Sequence, residues 1–284
     1  KLQDSLIFRE SKPELTKKQL LMHANRQFFE GDVYHWFVTY QGWGARGNCS
    51  DDLLWLPYIM DLYLEETLDY SLMDEVVPFA DKDEGDMYLH AKKAIQKSLT
   101  RFSERGVPLM GSHDWNDGLS AVGPKMKGES FWMSSFLYRI LNRFQRYSER
   151  RGDHAFTAEC QRYADQIKAT FNRYGWDGKW FLQATTDDGY ELGSHKNEEG
   201  QIFLMPNAWA IMTEIIEPSR IKTVIDSIKT YLLKDYGTVL NYPAFTVPRT
   251  DIGYVTRYAP GLRENGGVYT HAATWAVSAF SKAN

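Results

Sequence analysis

Apolar residues recur three and four apart over most of this chain, the spacing that gathers them on one face of a helix. Pro13 opens a first such segment, with Leu15, Leu20, Leu21, Ala24 and Phe28 in step until Gly31 stops it. Ser50, followed by Asp51 and Asp52, predicts the cap of a second helix. Its wide apolar face carries Leu53, Leu54, Leu56, Ile59, Met60, Tyr63 and Leu64. A third helix is expected over about 86–105, closed by Gly106, and a fourth over 129–151, with Phe131, Trp132, Phe136, Leu137, Ile140, Leu141 and Phe144 inward. A fifth covers about 154–173, two more lie near 207–216 and 219–233, and the last opens near Tyr269. The one convincing strand signal is Trp180-Phe181-Leu182-Gln183-Ala184-Thr185 and Tyr190-Glu191-Leu192, flanking the turn Asp187-Asp188-Gly189.

One hairpin cannot make a domain, and no low-complexity linker divides the chain, so the pattern predicts a single all-α domain over residues 1–284. Long helices joined by Gly- and aromatic-rich loops suggest an α/α toroid, whose loops gather at one end as a cleft. The helices are fewer than a closed double ring needs, so the toroid is expected to be incomplete at both ends, a fragment of a larger chain.

Composition narrows the function. The 284 residues carry a net charge of −4, so there is no basic field for a nucleic-acid backbone or an anionic membrane. No apolar run reaches the roughly eighteen residues of a membrane helix, and the first residues do not read as a signal peptide. The two cysteines, Cys49 and Cys160, are too few for a disulfide framework and suit a reducing cytoplasm. Aromatic residues make up 14% of the chain, with nine Trp and seventeen Tyr. Much of that must be core, but Trp36, Trp43, Trp115, Tyr254 and Tyr258 lie in Gly-rich loops. Flat rings with polar edges are how proteins grip pyranose faces.

Three polar, Gly-bearing segments each abut a helix start. The first is Asp114-Trp115-Asn116-Asp117-Gly118, preceded by His113. Asp and Asn cap turns routinely, but an indole has no place in a solvent-facing turn. A carboxylic acid beside a sugar-stacking ring is what protonation of a glycosidic oxygen requires. The second is Asn197-Glu198-Glu199-Gly200, where a solvated acid pair is the plainer account. The third is Arg257-Tyr258 through Arg263-Glu264-Asn265-Gly266-Gly267, leading to His271. Its glycines permit either a close ligand or a turn. His271, near a helix start, suits either a core histidine or a phosphate ligand. The seven His are never four apart and residues 81–86 lack a calcium-loop pattern, so no metal is expected.

Read together, these segments resemble glycoside hydrolase family 94, the inverting β-glucoside phosphorylases, and the phosphorylase-like part of cyclic β-1,2-glucan synthases. The residues that carry the likeness run in order along the chain. They are Gly31-Asp32-Val33, His35-Trp36, Ser50-Asp51-Asp52-Leu53-Leu54-Trp55-Leu56-Pro57, Asp114-Trp115-Asn116-Asp117-Gly118, Gly128-Glu129-Ser130, Trp176-Asp177-Gly178, Arg263-Glu264-Asn265-Gly266-Gly267 and Tyr269-Thr270-His271-Ala272-Ala273. The last block looks closer to the β-1,2-glucan branch. The resemblance implies an (α/α)6 toroid and inverting phosphorolysis of a β-linked gluco-oligosaccharide to α-glucose 1-phosphate, with inorganic phosphate as co-substrate and no other cofactor. It implies Asp117 as general acid and His271 as phosphate ligand. Trp115 and Asp114 fall in the sugar site, Asp4 on the donor hydroxyls, and Tyr258, Arg263 and Glu264 on the acceptor side. A homodimer would form through regions outside this chain. His113 stands where the family has Gly, and Asn48 where the glucan-synthase branch has Arg. Two rivals stay open: an inverting hydrolase with Glu198, Glu264 or Asp4 as base, and an inactive glycan-binding barrel.

Overall fold

The computed structural model describes residues 2–40 and 42–283. Helices dominate: α1 (Pro13–Ala24), α2 (Trp55–Thr67), α3 (Met87–Ser98), α4 (Phe131–Arg150), α5 (His154–Tyr174), α6 (Leu204–Met212), α7 (Ile221–Ser227) and α8 (Thr270–Ala283). Strands among the described residues are short, the longest being Tyr34–Phe37. No helix is long and apolar enough to cross a membrane. The chain divides into two compact units.

The first unit comprises Lys1–Arg101 and Ile140–Cys160. Leu20 and Ala24 of α1, Ile59, Met60 and Leu64 of α2, and Ala91, Ala94 and Ile95 of α3 are buried together as its core. Asp61, buried on α2, meets Arg143 Nε (3.1 Å), Arg146 Nη2 (3.0 Å) and the Tyr147 hydroxyl (2.8 Å). The cap foreseen for the second helix takes another form. A short 3-10 turn, Asp52–Leu54, precedes α2, whose cap has no side-chain bond. The Asp51 carboxylate is engaged elsewhere, accepting from the Trp55 indole (2.8 Å) and the Cys49 thiol (2.9 Å). The third helix begins as expected, with Asp86 accepting from the Leu89 amide (2.7 Å), but it stops at Ser98 rather than residue 105. Past Ser98 the backbone tightens, with the Thr100 amide on the Lys97 carbonyl (3.2 Å) and the Arg101 amide on that of Ser98 (3.0 Å). Two strand pairs that lack an alternating pattern in sequence also form, Tyr34–Phe37 with Gly44–Arg46 and Val76–Pro78 with Glu84–Asp86.

The second unit comprises Phe102–Arg139 and Gln161–Asn284. It opens with a turn in which Ser103 and Val107 bond each other and Gly106 takes φ +81°. The expected hairpin forms, with Ala184 opposite Leu192 and Thr185 opposite Glu191. It gains a third strand, Glu129–Ser130, from residues expected to be helical. α6 starts earlier than anticipated, because Asn207 is buried inside it with its amide bonded to the Phe181 and Phe203 backbone. α6 packs against α8, and Trp132, Phe136, Trp209 and Trp275 build an aromatic layer in ring contact. A second cluster, Met110, Leu119, Val122, Ala184, Leu192, Phe203, Phe245, Ile252 and Val255, underlies the 114–118 loop.

Candidate functional site

The loop holds itself by nested side-chain turns. Asp114 Oδ1 accepts from the Asn116 amide (3.0 Å), and Asn116 Oδ1 accepts from the Gly118 amide (3.1 Å). Asx turns of this kind tie a loop without helix or strand. Gly118 is required by packing, since a Cβ there would lie 2.6 Å from Val255 Cβ. The turn Tyr254–Arg257 therefore rests on the loop, with the Val255 amide donating to the Gly118 carbonyl (3.0 Å).

The two acids of the loop face opposite ways. Asp114 is wholly buried, and its Oδ2 accepts from Ser130 Oγ (2.8 Å) and Gln183 Nε2 (3.4 Å). Burial pushes its carboxyl up to about 6, against the hydrogen bonds that favour the charged form. It is turned into the protein, not offered to a ligand as expected for a sugar contact. The Asp117 side chain is 49% exposed, and His113 Nδ1 lies 3.4 Å from its Oδ1. Nδ1 also donates to the Asp114 carbonyl (3.0 Å).

Trp115 connects this loop to α8. Its ring meets Tyr269 (5.3 Å between centroids), His271 (5.6 Å) and Trp275 (5.0 Å), the first two near-perpendicular. His271 is exposed, the second residue of α8, where the helix dipole favours an anion. The structure thus brings Trp115 and His271 into ring contact, and Trp275, which the sequence reading did not single out as a site residue, touches both rings. Its only signal was helical spacing from His271.

The third segment folds on itself. Buried Asn265 donates to the Phe245 and Tyr258 carbonyls (2.9 and 2.7 Å) and accepts from the Phe245 amide (2.8 Å). A Cβ on Gly267 would lie 2.5 Å from the Arg263 carbonyl oxygen, so this glycine serves the turn itself. Arg263, at φ +48°, lays its guanidinium 4.7 Å from the Tyr258 ring centroid. Its Nε is 3.3 Å from Glu264 Oε2, a charge contact without hydrogen-bond alignment. Glu264 is buried, Tyr258 half-buried and Arg263 exposed. Tyr254, unassigned from sequence, ties the two loops electrostatically. Burial pushes its hydroxyl up to about 12, helped by the charges of Asp117 and Glu264 and by Tyr258.

In the second segment Glu199 accepts from the Thr246 amide (3.0 Å) while Glu198 is exposed, as a structural loop would have it. Asp4 belongs to the first unit, exposed on the turn Gln3–Phe8. Cys49 Sγ and carboxylate oxygens of Asp51 and Asp52 lie within 4.8 Å of one another, a spacing compatible with an ion. Burial and the adjacent acids push the Cys49 thiol well up, however, and it donates to Asp51 as a thiol.

Known proteins resemble this chain over nearly its whole length. The cyclic β-(1,2)-glucan synthase NdvB of Rhizobium meliloti is 34% identical over 99% of this chain and 11% of its own length. The solabiose phosphorylase of Paenibacillus borealis is 32% identical over 98% of this chain and 36% of its own. The chain thus spans well under half of either relative. A rhamnosidase from Klebsiella oxytoca, solved with rhamnose bound, shares the fold at a TM-score of 0.56 and 15% identity, over 98% of this chain and 56% of that one. The glycosyl hydrolase 94 superfamily catalytic domain matches residues 1–283, and the chain belongs to that family.

Proposed function

We propose that this chain is the catalytic (α/α)6 toroid of an inverting phosphorylase acting on a β-linked gluco-oligosaccharide, of the β-1,2 type. One observation carries the reading. The 114–118 loop leaves a single carboxyl open, that of Asp117, and the neighbouring Trp115 ring joins it to His271 at the start of a helix. An inverting hydrolase needs a second carboxylate to activate water. Phosphate arrives already anionic, so one acid and an anion cradle suffice.

In this reading Trp115 stacks on the sugar, Asp4 takes donor hydroxyls, and Tyr258, Arg263 and Glu264 meet the acceptor. Asp117 gives its proton to the glycosidic oxygen as the C1–O bond breaks. A phosphate oxygen forms the new bond to C1 from the opposite face, and α-glucose 1-phosphate and a shortened sugar leave. A proton from phosphate or solvent restores Asp117. No metal or organic cofactor takes part, and a cytoplasmic setting belongs to the same reading. The 34% identity to a β-1,2-glucan synthase supports the linkage.

The test is an incubation of the full-length protein with inorganic phosphate and a panel of β-linked glucobioses. Sugar 1-phosphate, fastest from the β-1,2 disaccharide, is expected. Free glucose released equally with and without phosphate would mean a hydrolase, and affinity without turnover a glycan-binding barrel.

A further inference from the structure

We propose that Asp114 is a positioning residue: a carboxylate inside the protein that grips the backbone on either side of Asp117 and never touches the substrate. The inference rests on the assignment of Asp117 above and concerns what holds that residue in place.

The connections are short and continuous. Ser130 Oγ fixes one oxygen of Asp114 at 2.8 Å and is itself tied to the start of α4 by the Met133 amide (3.1 Å). The other oxygen takes the Asn116 amide, and Asn116 takes the Gly118 amide, so the residues flanking Asp117 are both held. Only the Asp117 side chain is left to swing into solvent. Strand Glu129–Ser130 and the hairpin that brings Gln183 are sheet-paired, which makes the anchor rigid. Such support from packed elements is what keeps a reacting group within the narrow geometry that catalysis demands.

Of the ionisable groups, His113 and Asp117 on the same loop act on the Asp114 carboxyl; Ser130 and Gln183 do not titrate, and Glu129, next to Ser130, is paired with Arg105.

The sign of the pH effect follows from burial raising the folded-state carboxyl to about 6 from 3.8. The ionised form opposes folding above that range and ceases to do so below the unfolded value. Asp114→Asn in the full-length protein should therefore melt several degrees higher than wild type at pH 8, with the difference vanishing by about pH 4. Asp114→Ala, which removes both acceptor oxygens, should lose kcat by roughly a hundredfold, with KM for sugar and phosphate within about twofold, while Asp114→Asn, which keeps an oxygen for the Asn116 amide, should lose far less. Ser130→Ala should move kcat in the same direction as Asp114→Ala by less. A rise in sugar KM at unchanged kcat would mean that Asp114 binds substrate, and wild-type kinetics in Asp114→Ala would mean that it positions nothing; either overturns the proposal. If the wild-type protein releases no sugar phosphate, the functional reading fails on its own. Amide exchange at Asn116 and Gly118, faster in Asp114→Ala and still protected in Asp114→Asn, then tests the anchor without turnover; unchanged protection in Asp114→Ala would sink it.

Discussion

Glu129 and Ser130 are neighbours on one two-residue strand, yet the carboxyl groups they involve live in opposite surroundings. Glu129 is itself buried, and burial alone would raise it. Arg105 Nε at 2.7 Å, the second Arg105 nitrogen and Thr185 overcome that and hold it below the ordinary range. Asp114, reached through Ser130 Oγ, rises to about 6 because burial outweighs the hydrogen bonds it accepts. Where a guanidinium outweighs burial, the buried carboxylate becomes structure; where burial wins, the group is left poised near neutrality. The pair separates a staple of the fold from a part of the site within two residues of chain.

The comparison can be broken by substitution. The largest effect is expected at the residue that Asp114 presents: Asp117→Asn should cut phosphorolysis by about 10²–10⁴-fold while sugar affinity, read by calorimetry, persists. Retained turnover would remove Asp117 from the chemistry. Next comes His271→Ala, which should raise KM for phosphate roughly ten- to hundredfold and leave the sugar KM near its original value, since one charge-assisted bond to an anion is lost. Glu129→Gln should act on stability instead, costing about 2 kcal/mol because Arg105 keeps partial access to water. Its folded carboxyl lies below the unfolded value, so the stabilisation is present above about pH 4.5 and fades below it. The melting difference between wild type and Glu129→Gln should therefore shrink on acidification, as it does for Asp114→Asn, but with opposite sign. Equal signs would erase the distinction drawn here.

Much of the site was legible because its residues are unusual for their setting. Trp115 between two acids violates what a solvent-facing loop would carry, whereas His271 at a helix start left two accounts open. Ser130 was visible as part of a motif but without a task, since a lone hydroxyl fits any turn. Gln183 gave no signal at all: it sits in the apolar run Trp180-Phe181-Leu182 and alternation alone makes it a strand residue. The early end of α3 was hidden for a similar reason, because Phe102, an ordinary helix residue by spacing, pairs instead with Pro108.

Helical periodicity, the hairpin turn and the order of polar loops were fixed by local sequence, because they depend on spacing that neighbouring residues impose on one another. The chain could not say which of two acids three apart would be buried. That was decided when Ser130 and Gln183, far along the chain, closed over Asp114 and left Asp117 half in water. Burial is a property of what packs against a residue, and so is the proton affinity that follows from it.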